Sequence, residues 1–297
     1  MAPLDSHENR TRGILWMMAT LFCFISLDAI MKHLLESYSL VQVTWARFFF
    51  ATIVAVLMCG SRLQQLMKSV APRKQILRSI LLMSTTGVFN AGIRSTALAT
   101  GTTIMFLSPI LVTLLSIPLL GEKVGLRRWA GILMGFLGAI IVVQPWNGGL
   151  SGVNAGVLLL LVAAFFNANY QIVTRMVRND DPLTSLLFTA AAGAVVTSCL
   201  VPWFWGWPNV SGWSLLMASG IAGGLGHFCL IRALRLAPAS VVAPFSYSSL
   251  VWATLFGFII WRDWPDFWTW VGAAIIIGSG LYIFHREHSR SATAIET

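Results

Sequence analysis

Ten stretches of mostly apolar residues, each about as long as a bilayer's hydrocarbon core is thick, run almost end to end through this chain and leave it few ways to fold. They fall at about residues 13–34, 41–59, 76–97, 100–120 and 126–143, then 154–175, 182–204, 213–234, 239–260 and 266–284. A helix needs ~20 such residues to cross ~30 Å of hydrocarbon. The chain has 297 residues, of which 57% are apolar and 10% charged, against roughly 25% charged in soluble domains. The expectation is an all-α membrane protein of ten transmembrane helices, with short cytoplasmic tails at 1–12 and 285–297. The first stretch, behind Arg10 and Arg12, exceeds the 7–15 residues of a signal-peptide core and lacks a small-residue cleavage site; it reads as a retained first helix.

A net charge of +9 would suggest nucleic acid in a soluble protein, but no basic run is interleaved with aromatics as a nucleic-acid groove requires. The cations sort by topology instead. With the N-terminus cytoplasmic, sixteen of the twenty fall in inside segments: Arg10, Arg12; Arg62, Lys68, Arg73, Lys74, Arg78; Lys123, Arg127, Arg128; Arg175, Arg178; Arg232, Arg235; Arg286, Arg290. Lys32, Arg94 and Arg262 fall outside, and Arg47 lies within a span. That bias is the positive-inside rule held through ten crossings, and Trp203, Trp205, Trp207, Trp213, Trp261, Trp264 and Trp268 mark the outer interface. Cys23, Cys59, Cys199 and Cys229 show no C-x-x-C or Cys/His ligand spacing and read as small core residues, with no metal and no cofactor expected.

The sequence also repeats. A shift of 143 sets Gly13–Ser37 against Gly156–Asp180, matching Asp28 with Gln171 and Lys32 with Arg175; a shift of 136 matches Ala97–Leu98 with Ala233–Leu234, and one of 141 matches Glu122, Trp129 and Gly131 with Asp263, Trp270 and Gly272. The changing shift implies a first copy four or five residues, about one helical turn, shorter between its third helix and the end of its fourth. Five spans per copy, over 13–143 and 154–284, force the second copy to insert inverted.

The pattern resembles the drug/metabolite transporter superfamily, EamA type. Thr44–Arg47, Thr96–Leu98, Phe106–Pro109 with Gly121–Lys123, and Gly131, Gly135 and Gly138 carry the likeness in the first half; Ala233–Leu234, Ala239–Pro244 and Gly272 carry it in the second. Asp263, where the family often has Glu, and the missing turn before Pro109 depart from it. The resemblance implies alternating access around a cavity formed by spans one to four and six to nine, with five and ten peripheral. Among family members the chain looks most like bacterial exporters of amino acids and related metabolites.

There is no G-x-x-x-x-G-K-[ST] to cradle ATP, and no H-E-x-x-H or G-x-S-x-G for hydrolysis, so the chain does not read as an enzyme. Asp28, an acidic residue well within a span, is a functional candidate by its cost alone. It lies at the same depth as Arg47, about 9 Å below the outer ends of their helices. The two either meet a zwitterionic substrate or pair with each other, with Lys32 competing for Asp28 or snorkelling outward. Asn167, Tyr170 and Gln171, with Asn169, give span six a polar face that lines a cavity or bonds across helices. Asn90 and His227, near-mates in the repeat on spans three and eight, are either hydrogen-bonded packing residues or cavity groups with a substrate or proton role. Tyr247 and Trp252 form either an aromatic cavity floor or core packing. Pro109 and Pro244 remove backbone donors in mid-helix and kink it. Gly131-x-x-x-Gly135 serves packing of spans five and ten, or of protomers. The leading functional reading is a secondary transporter exporting amino acids or small metabolites across the inner membrane. Alternatives are uptake or exchange of a larger metabolite such as S-adenosylmethionine or a nucleotide sugar, drug efflux, or a membrane receptor. The expected partners are the lipid bilayer and a small-molecule substrate, with a monomer favoured over a homodimer.

Overall fold

A computed structural model describes residues 7–120, 126–144, 154–177, 179–237 and 242–293. Glu122, Lys123, Arg178 and Ala239–Val241 lie outside them. The regular structure among the described residues is all helical, and it forms ten helices. These are α1 (His7–Leu34), α2 (Leu40–Cys59), α3 (Pro72–Ile93), α4 (Leu98–Met105 continued by Leu107–Leu120), α5 (Leu126–Val143), α6 (Ala155–Met176), α7 (Pro182–Leu200), α8 (Val210–Leu236), α9 (Ala243–Ser248 continued by Ser249–Phe256 and Gly257–Trp261) and α10 (Phe267–Thr293). A one-turn helix, Leu63–Leu66, lies in the α2–α3 link.

The boundaries follow local chemistry. Ser39, Asn154, Asp181 and Asn209 each accept a backbone N–H of the helix they precede, satisfying donors that have no intrahelical partner. Pro72 and Pro182 open α3 and α7, where a missing N–H is harmless. Gly60 ends α2 at φ 51°, a conformation open to a residue without Cβ.

α4 and α9 are irregular. Pro109 cannot donate to Met105, and α4 breaks at Phe106. α9 is composite: a 3₁₀ turn Ala243–Ser248, an α segment Ser249–Phe256 and a π segment Gly257–Trp261. Pro244 therefore sits in the first turn of a 3₁₀ segment rather than in mid-helix. The α3–α4 join falls at 94–97, not near Thr100 and Gly101 as composition suggests, because Ala97 is extended (φ −64°, ψ 144°).

The packing has two-fold symmetry. α1 packs on α8 and α3 on α6; α2 packs on both α7 and α8, and α3 on α7; α1 packs on α9 and α4 on α6; α4 meets α9 and α5 meets α10. Exchanging each helix of the first five with its counterpart in the second maps these pairs onto one another; α4 meets α5 and α10 in addition. With five helices per copy the exchange reverses their direction, so the axis lies in the membrane plane.

Individual contacts obey it too. A Cβ on Gly92 (α3) would lie 2.9 Å from Gly156 O (α6), and one on Gly156 would lie 2.7 Å from Gly92 O, so the two backbones touch. Gly13, the repeat mate of Gly156, abuts Ala233 of α8 and Ala237 just past its end. On the periphery Gly272 meets Gly138, and Ser279 Oγ donates to Gly131 O. The shift of 141 exchanges these two contacts. A Cβ on Gly135 would strike Ile110 of the same chain, so Gly131 and Gly135 serve packing within the protomer.

The helix ends correct the repeat alignment. α3 ends at Ile93 and α8 at Leu236, an offset of 143, so Ala233–Leu234, inside α8, are not the counterparts of Ala97–Leu98 at the start of α4. No missing turn before Pro109 is needed, and the match of Asn90 with His227 lapses with it.

As suits a bilayer, large apolar side chains also face outward, while polar ones are kept within the bundle. Leu15, Leu57, Leu133 and Val195 are exposed, while Gln42, Thr85, Thr86, Thr102 and Thr103 are buried. Thr85, Thr102 and Thr103 return their hydroxyl protons to carbonyls four residues back. Cys59 and Cys229 are buried as expected, but Cys199 is exposed on α7.

At the end bearing the termini, Asp180 in the α6–α7 link accepts from Ser69 Oγ, from Val70 N (2.8 Å) and from Gln75 Nε2 (2.8 Å), while Arg62 pairs with Asp181 at 3.3 Å. Partial burial alone would raise the Asp180 pKa, but those hydrogen bonds hold it below the ordinary carboxylate value. A depressed folded-state pKa stabilises above the unfolded value of ~3.9 and loses that contribution as pH falls through the folded value. Asp180→Asn should thus lower the thermal midpoint at neutral pH, with the difference from wild type shrinking below about pH 4; melting curves across pH in mild detergent check this.

Candidate functional site

Between the two halves lies a cavity of about 480 Å³. α1 contributes Phe24 and Asp28; α2, Arg47; α3, Leu82, Thr85, Thr86 and Phe89; α4, Thr102, Phe106, Ser108 and Pro109. From the second half come Asn167, Tyr170 and Gln171 of α6, His227 of α8, and Ser246 and Ser249 of α9. α5 and α10 stay at the periphery. A smaller void of about 30 Å³ adjoins it between Arg47, Arg78, Tyr170, Thr189 and His227, and here α7 takes part.

The structure thus brings together Asp28, Arg47, Asn167, Tyr170, Gln171, His227 and Pro109. Their placement follows from the helix crossings. The close contact of Gly92 with Gly156 sets α6 against α3, and Asn167 and Gln171 fall on one face of α6 three and four turns further on.

Asp28 and Arg47 line the same cavity at similar depth, yet among the described residues they form no ion pair with each other. Lys32 does not turn to Asp28 either. Its ammonium binds Asp263 Oδ2 at 3.1 Å and Thr96 O at 2.9 Å and lies 4.6 Å from the Trp261 ring centroid. Trp261 Nε1 in turn donates to Glu36 at 2.7 Å. This cluster ties α1 to the α3–α4 and α9–α10 links at the end away from the termini. Lys32 is 8% exposed, so Lys32→Met should leave Asp263 and Thr96 O without their partner and cost about 1–3 kcal/mol, read as a lower thermal midpoint in detergent; an unchanged midpoint would make the tie incidental.

His227 Nδ1 lies 2.9 Å from Gly223 O, a contact that assigns the proton to Nδ1 and leaves Nε2 as an acceptor. Its ring packs edge-on to Phe24, with centroids 5.0 Å apart. Other expected site residues lie elsewhere. Asn90 is fully buried one turn above Thr86, with Nδ2 3.9 Å from Met31 Sδ and Oδ1 unpartnered. Tyr247 packs on Phe106 and against Gly280, and Trp252 edge-on to Phe22; neither is among the residues that line the cavity.

Arg78 is the residue that sequence reasoning missed. Its place near a helix end made it one more inside cation, but it is 5% exposed and points into the bundle. Nε donates to Thr174 Oγ1 (2.9 Å), Nη1 to Ser185 O (2.9 Å) and Thr189 Oγ1 (2.6 Å), and Nη2 to Tyr170 Oη (2.7 Å). The four acceptors are uncharged, and none of the ion pairs among the described residues involves Arg78. The available signal was the polar face of α6, which needed something to bond.

The EamA-like transporter family model matches residues 11–144 and 154–284. An S-adenosylmethionine uptake transporter of Rickettsia prowazekii is 26% identical over 294 residues, covering 99% of both chains. A riboflavin transporter of Vibrio cholerae is 28% identical over 288 residues, covering 94% of this chain and 95% of its own. A crystal structure of a protein with 19% sequence identity superposes with a TM-score of 0.64, covering 92% of this chain and 96% of that one.

Proposed function

The chain belongs to the EamA-like transporter family, and from that premise we propose that it carries a zwitterionic, nucleoside-bearing metabolite of the S-adenosylmethionine class across the bacterial inner membrane, in the direction of uptake or exchange. Its termini lie in the cytoplasm on this reading, as the distribution of Lys and Arg favours.

The observation that carries the reading is the unpaired dipole of the cavity. Asp28 and Arg47 face one low-dielectric chamber and feel each other's field, yet no contact ion pair joins them, and charges held apart there are costly. A ligand with an ammonium and a carboxylate gives each its counter-charge. The chamber's volume supports a larger metabolite over a free amino acid: about 480 Å³ lies within the ~300–1,000 Å³ of sites that enclose drug-sized ligands. Phe24, Phe89 and Phe106 supply aromatic wall for a planar base. Export of amino acids or related small metabolites, the leading expectation from sequence, is favoured less by the relatives named above. The relatives favour the alternative: the Rickettsia protein is named for S-adenosylmethionine uptake.

Transport would proceed by alternating access, the Lys32–Asp263 cluster parting at one end and the Arg62–Asp181 and Asp180 contacts at the other. Cells expressing the chain in a host without S-adenosylmethionine uptake should accumulate the labelled compound over control cells. Accumulation of riboflavin instead, or export of preloaded amino acids, would replace this reading.

A further inference from the structure

We infer that Arg78 is a positioning residue: it fixes the Tyr170 hydroxyl as a hydrogen-bond donor which, together with Arg47, reads the carboxylate of the transported zwitterion. The inference rests on the proposed substrate class.

The argument is one of donors and acceptors. A guanidinium has only N–H groups and never accepts, so in the 2.7 Å contact with Arg78 Nη2 the Tyr170 oxygen is the acceptor. Its own proton must then point elsewhere, and no second partner takes it among the described residues. Three further bonds to Thr174, Ser185 and Thr189 hold the guanidinium still, and its central carbon lies 4.8 Å from the Tyr170 ring centroid. Rotation of the hydroxyl to accept from a ligand would set it against the N–H of a fixed cation.

Tyr170 borders both the central cavity and the small void that Arg47 and Arg78 share. That end of the cavity therefore offers donors from the Arg47 guanidinium and the Tyr170 hydroxyl. A donor oriented beforehand strengthens a bond to an anion, because no reorganisation is needed when the ligand arrives. Asp28, which as a carboxylate only accepts, marks the opposite polarity. The arrangement gives the site a direction: carboxylate toward Arg47 and Tyr170, ammonium or sulfonium toward Asp28.

The test is equilibrium binding of labelled S-adenosylmethionine to the purified full-length protein, with competition by its decarboxylated analogue, which keeps the base, sugar and sulfonium. Wild type should prefer the carboxylated compound. Tyr170→Phe should weaken it about tenfold and leave the analogue within about twofold, reducing the preference to the part that Arg47 supplies. Arg78→Met should do the same, Arg78→Lys should restore part of it, and in the Tyr170→Phe background neither should lower the preference further. If Arg78→Met does not fold, Arg78→Lys alone and combined with Tyr170→Phe completes the comparison. A Tyr170→Phe protein with the wild-type preference, or an Arg78 variant that lowers it equally with and without Tyr170, overturns the inference while the substrate class stands. Wild type that binds neither compound overturns both.

Discussion

Asp28→Asn should lower the initial rate of S-adenosylmethionine transport by about 100-fold or more, because losing one partner of a desolvated charge contact costs about 2–5 kcal/mol. The substitution keeps shape and removes the charge, so the bundle should assemble as wild type does. No described group forms a contact ion pair with the Asp28 carboxylate, and Arg47 acts on it only at longer range, so the loss should fall on transport more than on stability. Asp28→Glu, keeping charge but moving it by one methylene, should retain part of the rate. Initial rates normalised to the amount of monodisperse protein check this. Wild-type transport by Asp28→Asn would assign the carboxylate a packing role and remove the cavity's negative pole.

The second large effect is structural. Gly156→Val should prevent normal assembly of the two halves, since a Cβ at 156 would lie 2.7 Å from the carbonyl oxygen of Gly92 and 2.9 Å from Thr96 Cγ2. Backbone cannot rotate away as a side chain can, so α3 and α6 must separate. Overpacking costs about 1–3 kcal/mol where neighbours adjust, and a backbone contact puts this site at the upper end or beyond. The expected result is loss of monodisperse protein on size exclusion, or a thermal midpoint lowered by about 6–12 °C if it folds. Gly87→Ala, in the same α3 helix with nothing within 4 Å of a Cβ, is the matched control and should change little.

How much of this was legible follows from which physical signals a sequence carries. The ten spans and the repeat were, because crossing a bilayer demands long apolar runs and a duplicated fold leaves Lys32 over Arg175 and Glu122 over Asp263. The α3–α4 join was not, since Thr96–Gly101 are as apolar as a helix and the turn is set by Ala97 and by Lys32 reaching Thr96 O. The composite α9 was hidden for the same reason: nothing in 243–261 separates 3₁₀, α and π turns by composition.

At the site, polarity inside an apolar run exposed Asp28, Arg47 and the face of α6, because such residues need a reason to be there. Whether Tyr247 and Trp252 faced a cavity or a neighbour was beyond periodicity, since an aromatic packs equally well in both. Arg78 escaped because charge near a helix end reads as topology. Only tertiary contacts reveal a guanidinium turned inward onto Tyr170, Thr174, Ser185 and Thr189.

The most direct measurement is counterflow in liposomes reconstituted with the purified protein, preloaded with unlabelled S-adenosylmethionine and given the labelled compound outside. The account predicts saturable, transient accumulation above protein-free liposomes, competed weakly by methionine and lost in Asp28→Asn. Absence of that accumulation, with counterflow of free amino acids or of riboflavin in its place, would contradict it.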